Sequence, residues 1–428
     1  MTELVLPKQY RRNFWCLVAD FCFFGVGMAF VSQSTVLPGF MSTLGASSAL
    51  IGLTFSLQSA GWLLPQLFAA RYMADKPFKK PYIIGPAAVG RMFFLMLALL
   101  LWLTRGRPSW LVLLFTVVMI VLFFVADGVA SVPWFEFFSK VIPPTRRGRL
   151  TGTAQALSGV LSFMAGGAVE WMLSARGPSF PLNYVALLLC GFVMLLLSLL
   201  AVWLAVEERS EAAARNPTWR EYLPKLWAVL KGDRSFRRYM IARQLFGLSG
   251  LAAPFYMTYA LRKLNLPLQV AGRYTSIGVV GSILAAVVMG WVNERYGSKR
   301  AMHISIGLVT AVPLLALVIP HVITHPTWLA WGYGLVFLCH YATMSSIMPS
   351  WVTYVLELAP EGERPTYIGL ANTLNGLTTV FSTIGGLILQ WTNNNYNLLF
   401  VITFVGLLLA WPLPFGLPEP RHRQTARL

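Results

Sequence analysis

The chain has 428 residues, of which 56% are hydrophobic and only 12% charged. That is too little polar surface for a soluble protein of this length, and apolar runs of about 20 residues, the length that crosses a bilayer, recur throughout. A formal charge of +18 would point a soluble chain towards nucleic acid, but here membrane orientation accounts for it and no nucleic-acid partner is expected.

Twelve spans are predicted, at roughly 14–38, 49–71, 82–104, 110–139, 149–174, 183–206, 238–261, 270–292, 302–320, 328–356, 366–391 and 396–416. The fold class is therefore an all-α polytopic membrane protein. Lys8, Arg11 and Arg12 precede a first apolar run too long for a signal-peptide core, so the first span is expected to be retained. Cys16, Cys22, Cys190 and Cys339 all lie in apolar runs without Cys-x-x-Cys spacing, and read as small hydrophobes.

Residues 207–237 divide the spans six and six. The domains are thus 1–206, a linker at 207–237, and 238–428 with its tail. In the linker Trp219, Leu223, Leu226, Trp227 and Leu230 recur at helical spacing among charges, which fits either an amphipathic surface helix or a solvated linker.

Lys and Arg set the orientation. With the N-terminus inside, 26 of the 34 fall in inside segments and six in outside loops, leaving Arg91 and Arg243 within spans. Both termini are expected in the cytoplasm, with the protein in the cell membrane.

Two sequence repeats relate the halves. Arg71-Tyr-Met-Ala-Asp75-Lys76-Pro-Phe-Lys79-Lys80 is echoed by Gly290-Trp-Val-Asn-Glu294-Arg295-Tyr-Gly297-Ser-Lys299-Arg300, with Asp75 and Glu294 219 positions apart. Pro143-Pro-Thr-Arg-Arg147-Gly148 is echoed by Pro360-Glu-Gly-Glu-Arg364-Pro365 at an offset of 217. The first repeat resembles the loop between helices two and three of major facilitator superfamily transporters, Gly-x-x-x-Asp-Arg-x-Gly-Arg-Arg/Lys. The later copy fits with Glu for Asp and one extra residue; the earlier has Arg71 and Phe78 at the glycine positions. Arg147-Gly148 is similar to the loop between helices four and five of that superfamily, and Arg364-Pro365 departs from it.

The resemblance implies two pseudo-symmetric six-helix bundles and secondary active transport of a small-molecule substrate by alternating access, with H+ as the expected coupling ion. It implies that Asp75, Lys76, Lys79, Lys80, Gly290, Glu294, Arg295, Gly297, Lys299, Arg300, Arg147, Gly148 and Arg364 belong to cytoplasmic gate motifs. A monomer is expected, with no cofactor and no metal. Export of a drug or metabolite is one direction. The alternatives are an uncoupled, lipid-handling or sensory protein of the same fold, or a membrane-embedded enzyme, which lacks the necessary His and acid spacing here.

Charges within a bilayer are costly and mark function or fixed pairs. Asp20, Arg91, Asp127 and Arg243 are the candidates for ion coupling or an intramembrane charge network. Gln33, Trp134, Gln244, Tyr256, His340, Trp351, Asn372 and Asn375 are candidate walls of a substrate cavity. Glu136 is expected to pair with Lys140, four residues on. Gly152, Gly159 and Gly166 in span 5, and Gly369 and Gly376 in span 11, form smooth stripes for close helix approach. Pro133 and Pro349 are expected to kink spans 4 and 10.

Overall fold

The computed structural model describes residues 9–73, 76–209, 227–360 and 363–419, apart from the side chains of Leu67, Ala70, Arg71, Pro144, Arg364 and Pro365. Among the described residues every regular element is helical. Among the described residues seven helices are long and apolar enough to cross a membrane: Tyr10–Phe30, Lys80–Thr104, Ser109–Val141, Leu182–Leu204, Val270–Tyr296, Ser298–Val322 and Tyr396–Gly416. Spans 2 and 5 are the continuous helices Ser48–Met73 and Pro144–Met172.

The other predicted spans are helical in shorter pieces. Span 7 runs Arg234–Phe246, a 3-10 turn Gly247–Leu251, then Phe255–Arg262. Span 1 has the matching interruption: its helix ends at Phe30 and resumes at Val36–Thr43. At such breaks side chains must satisfy freed backbone groups. Span 11 is divided by a 3-10 turn, Gly376–Val380, and span 10 by a π-helical turn, Met348–Val352, around Pro349. There Ser350 Oγ donates to the Ser346 carbonyl and Thr353 Oγ1 to the Met348 carbonyl. Pro133, by contrast, sits inside an uninterrupted helix, so the expected symmetry of the two proline sites holds in position and not in local structure.

Packing separates two compact units. One takes the residues up to Ala46, those from Leu57 into the linker, and Ala271–Ser276; the other takes Ser47–Ser56, the residues to Val270 beyond the linker, and those from Ile277 on. The first turns of spans 2 and 8 are thus exchanged between the two units. The first unit has a core of Phe14, Leu17, Phe137, Ile142 and Leu150. The second has an aromatic core of Phe236, Tyr239, Phe246, Trp351 and Tyr354. Trp102, Leu103, Met164 and Val322 are exposed, which suits an apolar surround.

The exchanged turns reveal which glycines are needed. A Cβ on Gly272 would lie 2.5 Å from the Gly166 carbonyl oxygen, and one on Gly386 would lie 2.5 Å from the Ser48 carbonyl oxygen. Gly166 and Gly386 are 220 positions apart, as are Gly52 and Gly272. The repeat therefore brings helices to backbone contact twice. Gly152 and Gly376 of the predicted stripes have open space around them. The close approach falls at Gly166, the last glycine of the first stripe, and at Gly386, which lies beyond the second stripe, where the exchanged turns pack.

Candidate functional site

Three of the four charged residues singled out within spans come together in the first unit. Asp20, Arg91 and Asp127, from spans 1, 3 and 4, line one cavity of about 190 Å³ with Trp62, Trp134 and Ser198. Asp20 is buried, and both carboxylate oxygens are engaged. Oδ2 accepts from Trp134 Nε1 at 2.8 Å and Oδ1 from Ser198 Oγ at 2.6 Å. Trp134 is held in place by Phe21, edge-on at 5.2 Å, and by Phe138, stacked at 5.5 Å.

Arg91 is buried and donates from Nη1 to the Ala87 carbonyl at 3.1 Å and from Nε to the Leu195 carbonyl at 3.4 Å. The same Nη1 lies 4.0 Å from Asp127 Oδ1. The guanidinium is thus anchored to the backbone of spans 3 and 6, and its carboxylate contact is the long one. Ser198 and Trp62 were not legible as site residues, since neither a serine in an apolar helix nor a lone tryptophan carries a sequence signal.

Arg243 belongs to the second unit. Its guanidinium carbon stands 5.1 Å from the Phe246 ring centre and 5.4 Å from that of Trp351. Trp351 is fully buried, donates from Nε1 to Ser305 Oγ at 3.2 Å, and accepts at its carbonyl from Tyr239 Oη at 3.0 Å. Gln244 donates to the Leu374 carbonyl at 3.0 Å, so its amide ties spans 7 and 11 together. Tyr256 is buried, stacked on Phe400 at 5.2 Å with His340 at 6.1 Å. Asn372 is exposed, while Gln33 and Asn375 are half-buried, Gln33 in the break of span 1.

The charged repeats have partners the sequence did not suggest. Glu136 pairs with Lys79 Nζ at 2.6 Å, not with Lys140. Lys140 instead reaches Glu207 at 3.0 Å. Glu207 also accepts from the backbone N–H groups of Lys79 and Lys80, at the positive end of the span 3 helix. These tertiary partners outweigh an i,i+4 pair worth only about 0.2–0.5 kcal/mol. Lys80 Nζ donates to the carbonyls of Trp203 and Ala205. Arg147 donates to the Ser139 and Ile142 carbonyls, capping the negative end of the span 4 helix. Gly148 has open space beside it. Lys76 lies over the Tyr72 ring at 5.2 Å; Asp75 and the Arg364 side chain fall outside the described residues.

In the second copy Gly297 has φ +89°, a conformation suited to glycine, at the junction of two helices. A Cβ there would meet Glu419 Oε1 at 2.7 Å. Ser298 donates to Glu357 at 2.5 Å, and Lys299 to the Phe415 carbonyl at 3.2 Å. Arg295 and Arg300 lie over the Tyr296 ring at 5.6 and 5.2 Å. Gly290 and Glu294 sit on the exposed side of the span 8 helix.

The Major Facilitator Superfamily sequence profile matches residues 19–383 and, overlapping, 245–427. An uncharacterised protein of Mycobacterium tuberculosis (strain ATCC 25618 / H37Rv) is 30% identical over 317 residues, 71% of this chain and 59% of the relative. This chain therefore spans 59% of the length of that relative. The proton-coupled antiporter flippase LtaA of Staphylococcus aureus (strain MRSA252) is 24% identical over 164 residues, 37% of this chain and 39% of that protein. Among solved structures, the nucleoside transporter NupG superposes with a TM-score of 0.67 at 15% identity, covering 96% of this chain and 98% of that one. The profile match over most of the sequence, together with this helical fold, shows that the chain belongs to the Major Facilitator Superfamily.

Proposed function

We propose that the protein is a secondary active transporter that moves a small solute by alternating access, coupled to protons through Asp20. The observation that carries this reading is the paired reception of the Asp20 carboxylate by Trp134 and Ser198 inside a cavity. The two donors differ in a useful way. An indole N–H can only donate, so Oδ2 keeps its hydrogen bond in either protonation state. A serine hydroxyl can turn from donor to acceptor, so a proton on Oδ1 is received by Ser198 without moving a helix.

The site therefore accommodates the neutral and the charged carboxyl with one rotor change. Arg91 and Asp127 supply a second charge pair beside it, at 4.0 Å. Loading or unloading one proton changes the net charge of this cavity by one, and an equilibrium between two access states responds to whatever binds them unequally. Both termini are assigned to the cytoplasm, since 26 of the 34 Lys and Arg fall in segments on that side.

Antiport of a lipid-like substrate is the second reading, favoured by the similarity to a protein named a proton-coupled antiporter flippase. Purified protein in liposomes loaded with a pH-sensitive dye tests the coupling. Adding successive members of a solute panel, lipid analogues included, is expected to drive proton flux for at least one solute. No flux above that of empty liposomes for any solute contradicts the proposal.

A further inference from the structure

Away from their ends, spans 7 to 12 contain one Arg, Arg243, and not one Asp or Glu. The acids after residue 233 are Glu294, Glu357, Glu361, Glu363 and Glu419, all in loops or at span ends. Asp233 itself is occupied: Oδ1 caps the helix that carries Arg243, accepting from the Phe236 N–H, and Oδ2 accepts from Tyr367 Oη.

This differs from the first unit, where the buried Arg91 has two backbone carbonyls and a carboxylate within 4.0 Å. Among the described residues no carboxylate stands within salt-bridge distance of Arg243. Its contacts are the faces of Phe246 and Trp351. Aromatic faces compensate a cation in part, and among the described residues the N–H donors on the guanidinium edge have no hydrogen-bond acceptor. The neighbouring Gln244 amide is already committed to the Leu374 carbonyl. Arg243 as a residue is half-buried, not sealed from its surroundings.

A cation within a membrane span has a partner as a rule. Here the described residues provide walls and a donor fork, and no anion. We propose that Arg243 is an anion-binding group, taking a phosphate ester or carboxylate of the transported molecule against the Trp351 and Phe246 rings. That the anion belongs to a transported molecule rests on the transporter reading above; the anion site does not. Arginine suits this role because its planar fork meets two oxygens at once while its face stays stacked on the rings.

Calorimetric titration of the full-length protein in neutral detergent tests the site without any gradient. The probes are glycerol phosphate, dodecyl phosphate and dodecanoate. Saturable binding of dodecyl phosphate or dodecanoate alone identifies an amphiphilic anion; binding of glycerol phosphate as well identifies a soluble one. Arg243→Gln is expected to weaken binding roughly tenfold or more. Arg243→Lys keeps the charge but loses the fork, and is expected to fall between. Without ligand, Arg243→Gln should melt at or above the wild-type temperature, because no buried carboxylate is orphaned.

Absence of saturable binding for all three probes overturns the proposal. So does binding that both variants retain within about twofold of wild type. Arg243-dependent binding in a protein that gives no proton flux would remove the coupling reading and leave the anion site standing.

Discussion

Glu207 holds the start of span 3: its Oε1 accepts from the Lys79 backbone N–H at 2.8 Å. The same carboxylate takes Lys140 at 3.0 Å and is itself almost wholly enclosed. The residue that follows span 6 thus clamps spans 3 and 4. Glu419, which follows span 12, lies against Gly297 at the start of span 9 in the corresponding place. Glu207→Ala leaves Lys140 without its carboxylate and two helix N–H groups without an acceptor. A loss of about 3–5 kcal/mol is expected. Glu207→Gln, which keeps one acceptor oxygen, is expected to lose about 1–2 kcal/mol. Thermal melting in detergent reads both; equal melting of Glu207→Ala and wild type would contradict the clamp.

Gly297→Ala combines a φ of +89° with a Cβ that would meet Glu419. It should cost about 1–3 kcal/mol. Because the strain lies in the backbone, Glu419→Ala should relieve only the clash. A double variant that recovers full stability would show that the backbone conformation was not strained for alanine.

The glycines divide into two classes by their surroundings. Gly272→Ala and Gly386→Ala force apart helices already in backbone contact, and each should destabilise by about 1–3 kcal/mol. Gly152→Ala, in open space within a helix, should be neutral or gain up to about 1 kcal/mol. Equal effects at all three positions would remove the distinction.

Single cysteines in a background without the four native ones test the orientation. Arg176→Cys should react with an impermeant thiol reagent outside intact cells, and Arg209→Cys should not. The opposite pattern would reverse the assignment of the termini.

Much of this was legible in the sequence, because membrane-spanning length and the half-chain repeat are strong, long-range signals. Asp20, Arg91 and Asp127 could be singled out because any charge in an apolar run needs a reason. Which charges meet was not legible. Arg243 sits on aromatic rings in the other unit, and Glu136 chose Lys79 over the nearer-numbered Lys140. Those outcomes depend on which spans lie side by side and at what height, which only tertiary packing determines. Ser198 gave no signal, since a hydroxyl in an apolar helix most often bonds its own backbone. Gly272 and Gly386 lie outside the regular seven-residue stripes and carry no periodic signal, because contact depends on which turn meets a neighbour.

The measurement closest to the central claim compares two modes of transport in one preparation of Asp20→Asn, once a solute is identified. Gradient-driven accumulation should be lost while solute exchange across the membrane persists, because exchange needs no net release of the proton. Melting temperature on the same sample excludes misfolding as the cause. A folded Asp20→Asn protein that accumulates the solute as wild type does would contradict Asp20 as the coupling group.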